Sequence, residues 1–255
     1  MRIKQVVMIC LGIAALIFNA RANSLSELEY LTESYPPYNY QEEGELKGIS
    51  VDLLRAALAR AGEGLPRDNI QLLPWPRAYK MALAGPERVL FSTTRTQLRE
   101  DSFHWVGPII ETQVVLLARS GSEINIQSID ELSNYSIGAI KDDIGEQLLL
   151  SFGVPAKRIK RAHSANSLLK MLNKGRIQLW AYEENVASWN IHNSGLDPSL
   201  FESVFTLQES ELYYAFSKDT DPELIKKLQL SIDEIKSEFI GDGHNLYEQI
   251  ISKYR

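Results

Sequence analysis

The sequence predicts an α/β fold in two lobes, and three observations carry that prediction. Strand-like and helix-like apolar patterns alternate from Leu28 to Phe91. The same rhythm restarts after the apolar run Val114 to Ala118 and continues to Tyr182. No flexible linker separates the two clusters, so the lobes are expected to be joined by strand crossings.

Met1 to Ala22 has the build of a removable export leader: Arg2 and Lys4, an apolar run from Val6 to Phe18, then Ala20-Arg21-Ala22. The run is shorter than the roughly 20 residues that span a bilayer, and no later segment is uniformly apolar at that length. An exported, soluble protein is expected, cleaved before Asn23. Cys10, the only cysteine, sits early in the apolar run rather than at its end, where a lipid anchor needs it. Without the leader no cysteine remains, which removes disulfides, thiolate metal sites and cysteine nucleophiles. Losing three basic and no acidic residues moves the formal charge from -6 to -9. Such an acidic chain is a poor partner for nucleic acid, where binding rests on neutralising phosphates.

Leu28 to Thr32 is expected to be the first strand, ended by Tyr35-Pro36-Pro37-Tyr38, whose prolines stiffen the loop. Its tyrosines form either a stacking wall for a ligand or ordinary cover for a core edge. Ser50 is the expected N-cap of a helix that Gly62 stops. Ile70 to Leu73 follows as a strand, and Pro74-Trp75-Pro76 leads into a helix over Arg77 to Ala84. Val89 to Phe91 is then a strand end that opens into Ser92, Thr93, Thr94, Arg95, Thr96 and Arg99. Hydroxyls beside arginines make an anion-binding constellation, because a guanidinium fork grips a carboxylate through two parallel bonds. A solvated loop pairing its arginines with Glu100 and Asp101 is the other reading. In α/β layers ligands sit beyond the carboxyl ends of strands, which is where this stretch falls.

Asp101 to Pro108 is expected to be an aromatic turn before the Val114 to Ala118 strand. Ser136 to Ile140 is a strand, Lys141 to Gly145 a loop, and Glu146 to Phe152 a helix closed by Gly153. A helix over Ser164 to Lys174 precedes the strand Ile177 to Tyr182, which ends in Glu183 and Glu184. Acids there can receive an ammonium group, or serve a helix start through its dipole. Ser203 to Leu207 and Leu212 to Phe216 are two further strands. Asp221-Pro222 opens a helix with one apolar stripe of Leu224, Leu228, Ile232, Ile235 and Phe239. The four histidines have no metal-ligand spacing, and no nucleophile elbow, phosphate loop or dinucleotide fingerprint is present. No metal and no cofactor are expected.

Taken in order, several short motifs resemble the bacterial extracellular solute-binding proteins of the amino-acid-binding type, the periplasmic components of ABC importers. They are Tyr35-Pro36-Pro37-Tyr38, Gly48-Ile49-Ser50-Val51-Asp52-Leu53-Leu54, Thr96-Gln97-Leu98-Arg99-Glu100 with Phe103 and Gly107-Pro108, then Ile137-Gly138 and Gly175-Arg176-Ile177. The resemblance implies a two-lobed periplasmic-binding-protein-like fold (type II) that hinges over a ligand, with crossings near Ile109 to Gln113 and Leu212 to Ala215. Residues 23–112 and 214–255 would form lobe one and 113–213 lobe two, after a leader over 1–22. It implies Arg99 for the ligand's α-carboxylate, Ser92 and Thr94 beside it, Glu183 for the α-amino group, and Tyr35 and Tyr38 as the aromatic wall. Trp75 and Asp143 complete the expected ligand contacts. The implied partners are a small-molecule ligand and a membrane ABC permease, for a monomer in the periplasm that is not an enzyme.

Two departures stand out. The lobe-two loop reads Asp142-Asp143-Ile144 where amino-acid binders often offer Gly and Thr, and Gln178 replaces a more usual Asp. Acids at 142 and 143 either repel a carboxylate or cap the next helix. Two other functions share the family's likeness: a cyclohexadienyl dehydratase, with Glu183 or His104 as proton carrier, and an orphan or sensory binding module.

Overall fold

The computed structural model describes residues 22–65, 70–240 and 243–254. The expected leader therefore lies outside the described residues except for Ala22. Among the described residues no helix is long and apolar enough to cross a membrane.

The first half alternates as expected: β1 (Glu29–Thr32), a small hairpin of β2 (Tyr40–Glu42) and β3 (Glu45–Lys47), α1 (Ile49–Arg60), β4 (Ile70–Leu72), α2 (Trp75–Ala84) and β5 (Arg88–Thr94). A long strand, β6 (His104–Arg119), leads to β7 (Ile137–Ile140), α3 (Ile144–Ser151), β8 (Ile159–Ala162), α4 (Ala165–Asn173), β9 (Leu179–Glu183) and α5 (Glu184–Asn193). A second long strand, β10 (Phe201–Phe216), returns the chain to α6 (Pro222–Ser237), the short pair β11 (Phe239–Ile240) and β12 (His244–Asn245), and α7 (Leu246–Ser252).

One eight-stranded sheet runs in the order β4-β1-β5-β10-β6-β9-β7-β8. β6 and β10 pair antiparallel from Phe201↔Arg119 to Phe216↔His104, with register shifts at Ser203/Phe205, Thr206/Gln208 and Leu212/Tyr214. The half with β1, β4 and β5 is lobe one, and the half with β7, β8 and β9 is lobe two; the outer strands of each half are parallel. α6 and α7 pack on α1 in lobe one. The aromatic turn expected over Asp101 to Pro108 is instead a single 3-10 turn followed by strand, because Trp105 and His104 pair with Ala215 and Phe216. Likewise the two strands expected between Ser203 and Phe216 are one strand of 16 residues.

Local chemistry explains the helix ends. Gly48, at φ 125°, is the N-cap of α1, two residues before the expected Ser50. A Cβ at Gly48 would collide with the Tyr38 carbonyl. The α1 amides of Ile49 and Ser50 donate to the Pro37 and Tyr38 carbonyls at 3.1 and 2.9 Å, which fixes the tyrosine loop to the helix. Asp221 caps α6, whose Leu224, Leu228, Ile232 and Ile235 are buried at roughly 1.5–3 kcal/mol each. Phe239 does not join that stripe. α6 stops at Ser237, Glu238 turns extended, and Phe239 enters β11 with 70% of its surface exposed.

The larger apolar cluster takes in Tyr35, Tyr38 and Trp75 of lobe one with Ile140, Trp180 and Tyr182 of lobe two. A second cluster lies wholly within lobe two and its crossing strands, around Val114, Leu148 and Leu179. The lobes are therefore packed against each other, in a closed arrangement.

Candidate functional site

The parallel strands of both lobes aim their carboxyl ends at the interface, delivering Glu33, Leu73, Asp142, His163 and Glu183 in turn. Between them lies a cavity of about 310 Å³, lined by Glu33 and Ser34 after β1, by residues 72–74, and by Ile140, His163 to Asn166, Tyr182 and Asn190 from lobe two. This is the crevice where α/β sheets hold ligands.

Arg99 follows β5 and is 1% exposed. Its Nε donates to Gln147 Oε1 of lobe two at 2.9 Å and its Nη1 to the Thr94 carbonyl at 3.2 Å, while Nη2 has no partner. The guanidinium lies over Trp75 and Tyr79, 5.2 and 5.0 Å from the ring centroids. Trp75 in turn donates its indole N–H to the Asp142 carbonyl at 2.9 Å, a second contact across the lobes. Arg95 turns away: it pairs with Glu100 and stacks on Trp105 and Tyr213.

Asp143 is 4% exposed and caps α3 through its own carboxylate, which accepts from Ile144 N at 2.6 Å. The neighbouring Asp142 N–H donates to Glu146 Oε2 at 2.6 Å. α3 approaches β9 so closely that a Cβ at Gly145 would come 2.7 Å from the Ala181 carbonyl. Burial raises the Asp143 pKa, against the opposing pull of Arg99 and the Ile144 N–H. Burial raises that of Glu33 well above the usual carboxylate range, with Asp143 adding to the effect and Arg99 opposing it. Burial lowers the Arg99 pKa, and Asp143 is the largest opposing influence.

Glu183 is 1% exposed and spends both oxygens inside the protein. Oε1 accepts from Tyr38 Oη at 2.9 Å, Thr112 Oγ1 at 2.8 Å and Asn185 Nδ2 at 3.2 Å; Oε2 accepts from Val186 N at 2.7 Å, capping α5. Its pKa is raised by burial, with these donors holding it back. Tyr35 meets Tyr182 edge-on at 5.8 Å across the lobes, and Tyr182 stacks on Trp180 at 5.1 Å.

Of the residues expected to touch a ligand, Arg99, Trp75, Tyr35, Tyr38 and Glu183 make the contacts between the lobes and Asp143 caps α3 nearby, but none of the six is among the residues that line the cavity. Ser92 points elsewhere: at φ 58° its hydroxyl is hydrogen-bonded to Asn39 and Ser50 within lobe one. Thr94 contributes its carbonyl to Arg99. His104 lies in a surface groove with Pro222 and Leu230, hydrogen-bonded to the Lys218 carbonyl at 3.3 Å. Glu33, His163, Asn190 and Tyr182 line the cavity without having been singled out from the sequence; the signal for Glu33 was its place one residue beyond a strand's end. Among the described residues no cluster of His, Cys, Asp and Glu is arranged to hold a metal ion.

Two α/β lobes joined by paired strands and shut over a polar-rimmed cavity define a two-lobed ligand-binding fold. The chain belongs to the bacterial extracellular solute-binding proteins, family 3, whose model matches residues 30–253. No curated protein sequence matches it. Among solved structures it is similar to a histidine kinase sensor domain described as similar to periplasmic binding proteins, at TM-score 0.77 and 18% identity over 90% of this chain and 96% of that one. It is also similar to the arginine-, lysine-, histidine-binding protein ArtJ of Geobacillus stearothermophilus, at TM-score 0.73 and 18% identity over 89% of this chain and 95% of that one. A third is the ancestral amino-acid-binding protein AncCDT-1, a precursor of cyclohexadienyl dehydratase, at TM-score 0.70 and 18% identity over 89% and 94%.

Proposed function

We propose that the protein captures an amino acid or a related small polar metabolite in the periplasm and delivers it to a membrane ABC permease, acting as a monomer and not as an enzyme. The observation that carries this reading is the cavity ringed by strand ends of both lobes, together with hydrogen bonds that cross the closed interface. Family membership and the ligands named for similar structures, arginine, lysine and histidine for ArtJ, support the solute class. Lobe one over residues 23–112 and 214–255, and lobe two over 113–213, then swing about the paired β6 and β10.

In this reading Arg99, Trp75, Tyr38 and Glu183 act as a latch that forms only on closure, so a ligand that fills the cavity shifts the population from open to closed. Glu33, Tyr182 and Asn190 are the groups that touch it. A role in elimination chemistry is disfavoured by the two expected proton carriers, since Glu183 is fully engaged and His104 lies in a separate groove.

A thermal-shift screen of amino acids, amines and small carboxylates tests the reading. A ligand at about 100 times its Kd should stabilise the protein by roughly 2.7 kcal/mol. A screen in which no compound raises Tm would overturn it.

A further inference from the structure

The interlobe cavity is unusual in its charge. Glu33 is the one acid of its lining, and no Lys or Arg lines it among the described residues. The guanidinium nearby does not reach the cavity wall: Arg99 is buried, two of its three nitrogens are engaged, and it lies over Trp75 and Tyr79. Its charge acts on Glu33 and Asp143 alike, so two carboxyl groups share the field of one guanidinium. Glu183 adds a third, already saturated by its own donors.

The lobe-two loop also sets a carboxylate of its own at the start of α3. A helix N-terminus receives anions through its free amides. At α3 the first helical amide, Ile144 N, is taken by the Asp143 carboxylate, and the two amides just before the helix are taken as well: Asp142 N by Glu146 and Asp143 N by the Ile140 carbonyl at 3.3 Å. The protein's own carboxylate caps the helix start, where an external one would otherwise be received. An incoming carboxylate would meet Glu33, with the buried Asp143 behind the lining, while an incoming cation would meet Glu33 and the ring of Tyr182, which attracts positive charge through its π face.

We propose that the cavity takes a small organic cation without a carboxylate, an aliphatic amine or guanidine, with Glu33 as its direct counter-charge and Asp143 as the residue that rejects the carboxylate of the parent amino acid. This narrows, and rests on, the solute-capture reading above. The remaining polar rim of Ser164, Asn166 and Asn190 offers uncharged partners to the far end of such a ligand. A cavity of about 310 Å³ suits a molecule of amino-acid size or smaller.

Matched pairs that differ only by the carboxylate provide the test: agmatine with arginine, cadaverine with lysine, and putrescine with ornithine, each titrated into the protein by calorimetry. At least one amine is expected to bind tenfold or more tightly than its amino acid. Asp143→Asn should narrow that ratio, and Glu33→Gln should weaken the amine at least tenfold while leaving Tm of the free protein within a few degrees. If either variant fails to fold, the wild-type ratio alone decides. An amino acid that binds as tightly as its decarboxylated partner overturns the inference and leaves solute capture standing. No binding by any member of the three pairs overturns the inference as well, and solute capture falls only if the broad screen is also empty.

Discussion

Tyr38 and Glu183, 145 residues apart, meet across the two lobes: the phenol donates to Glu183 Oε1 at 2.9 Å, beside Thr112 at 2.8 Å. Because the tyrosine is tied to α1 and the glutamate caps α5, this bond couples a helix of each lobe to the closed state. Tyr38→Phe removes the donor and leaves a buried carboxylate one partner short, a loss of about 1.5–3 kcal/mol for a hydrogen bond to a charged group. The loss falls on closure. Ligand affinity should drop roughly tenfold or more on that scale, and small-angle scattering should report a larger radius in the presence of subsaturating ligand; unchanged affinity would sink the latch.

Glu183→Ala also removes the cap of α5. A lost N-cap costs about 0.5–2 kcal/mol, added here to three stranded donors. Urea denaturation should give a midpoint well below that of Glu183→Gln, which keeps an oxygen for the Val186 amide. Equal midpoints would mean that the carboxylate's bonds carry little stability.

Arg99→Ala should destabilise more than its size suggests. It removes the bonds to Gln147 and the Thr94 carbonyl, at about 1.5–3 kcal/mol for a hydrogen bond to a charged group, and takes away the positive charge that opposes the effect of burial on Asp143 and Glu33. Arg99→Lys should recover only part of this, since an ammonium lacks the planar face that lies over Trp75 and Tyr79. Denaturation midpoints of the two variants at neutral pH check the order.

The acids of the cleft set a pH dependence. Glu33, Asp143 and Glu183 have raised pKa values in the closed protein, so it holds more protons than the unfolded chain between the ordinary carboxylate value and the raised ones. Stability of the ligand-free protein should therefore be greatest below that interval and fall as pH rises through it. The groups facing Glu33 are Asp143, Arg99, Tyr35 and Tyr182, with His163 lining the same cavity. An amine needs the anions, so its affinity should rise with pH over the same interval, with proton release visible as a buffer-dependent heat. A flat profile would contradict the charge assignment.

Gly48→Ala should be costly out of proportion to one methyl group. The residue sits at φ 125° and its added Cβ would strike the Tyr38 carbonyl; backbone strain of this kind costs about 1–3 kcal/mol. Both Tm and ligand affinity should fall, because the displaced loop carries Tyr35 and Tyr38 together.

The strand–helix rhythm and the cap at Asp221 were legible from local pattern; the place of Glu183 followed from the carboxyl-end rule, that of Arg99 from the family likeness, and the cap at Asp143 was one of two readings of that loop. What was not legible depends on partners far along the chain. Trp105 looks like a turn residue until Ala215 is placed opposite it, and Phe239 continues the α6 spacing until the helix stops two residues short of it. Ser92 sits in a hydroxyl-rich strand end, yet Ser50 and Asn39 claim it from within the lobe. Glu33 drew no notice beside the tyrosines, although it is the side chain that the cavity exposes.

The paired β6 and β10 have a mechanical consequence. A joint made of two hydrogen-bonded strands running unbroken through both lobes is a flexure rather than a pivot: it bends elastically and carries a restoring force. Between the lobes, at Glu209 to Glu211 opposite Gln113 to Glu111, the pair is flanked by neither β9 nor β5, and there the flexure is thinnest. Opening and closing would then be graded by stiffness at those points, and a substitution there would tune how readily the cleft springs back without touching any residue of the cavity.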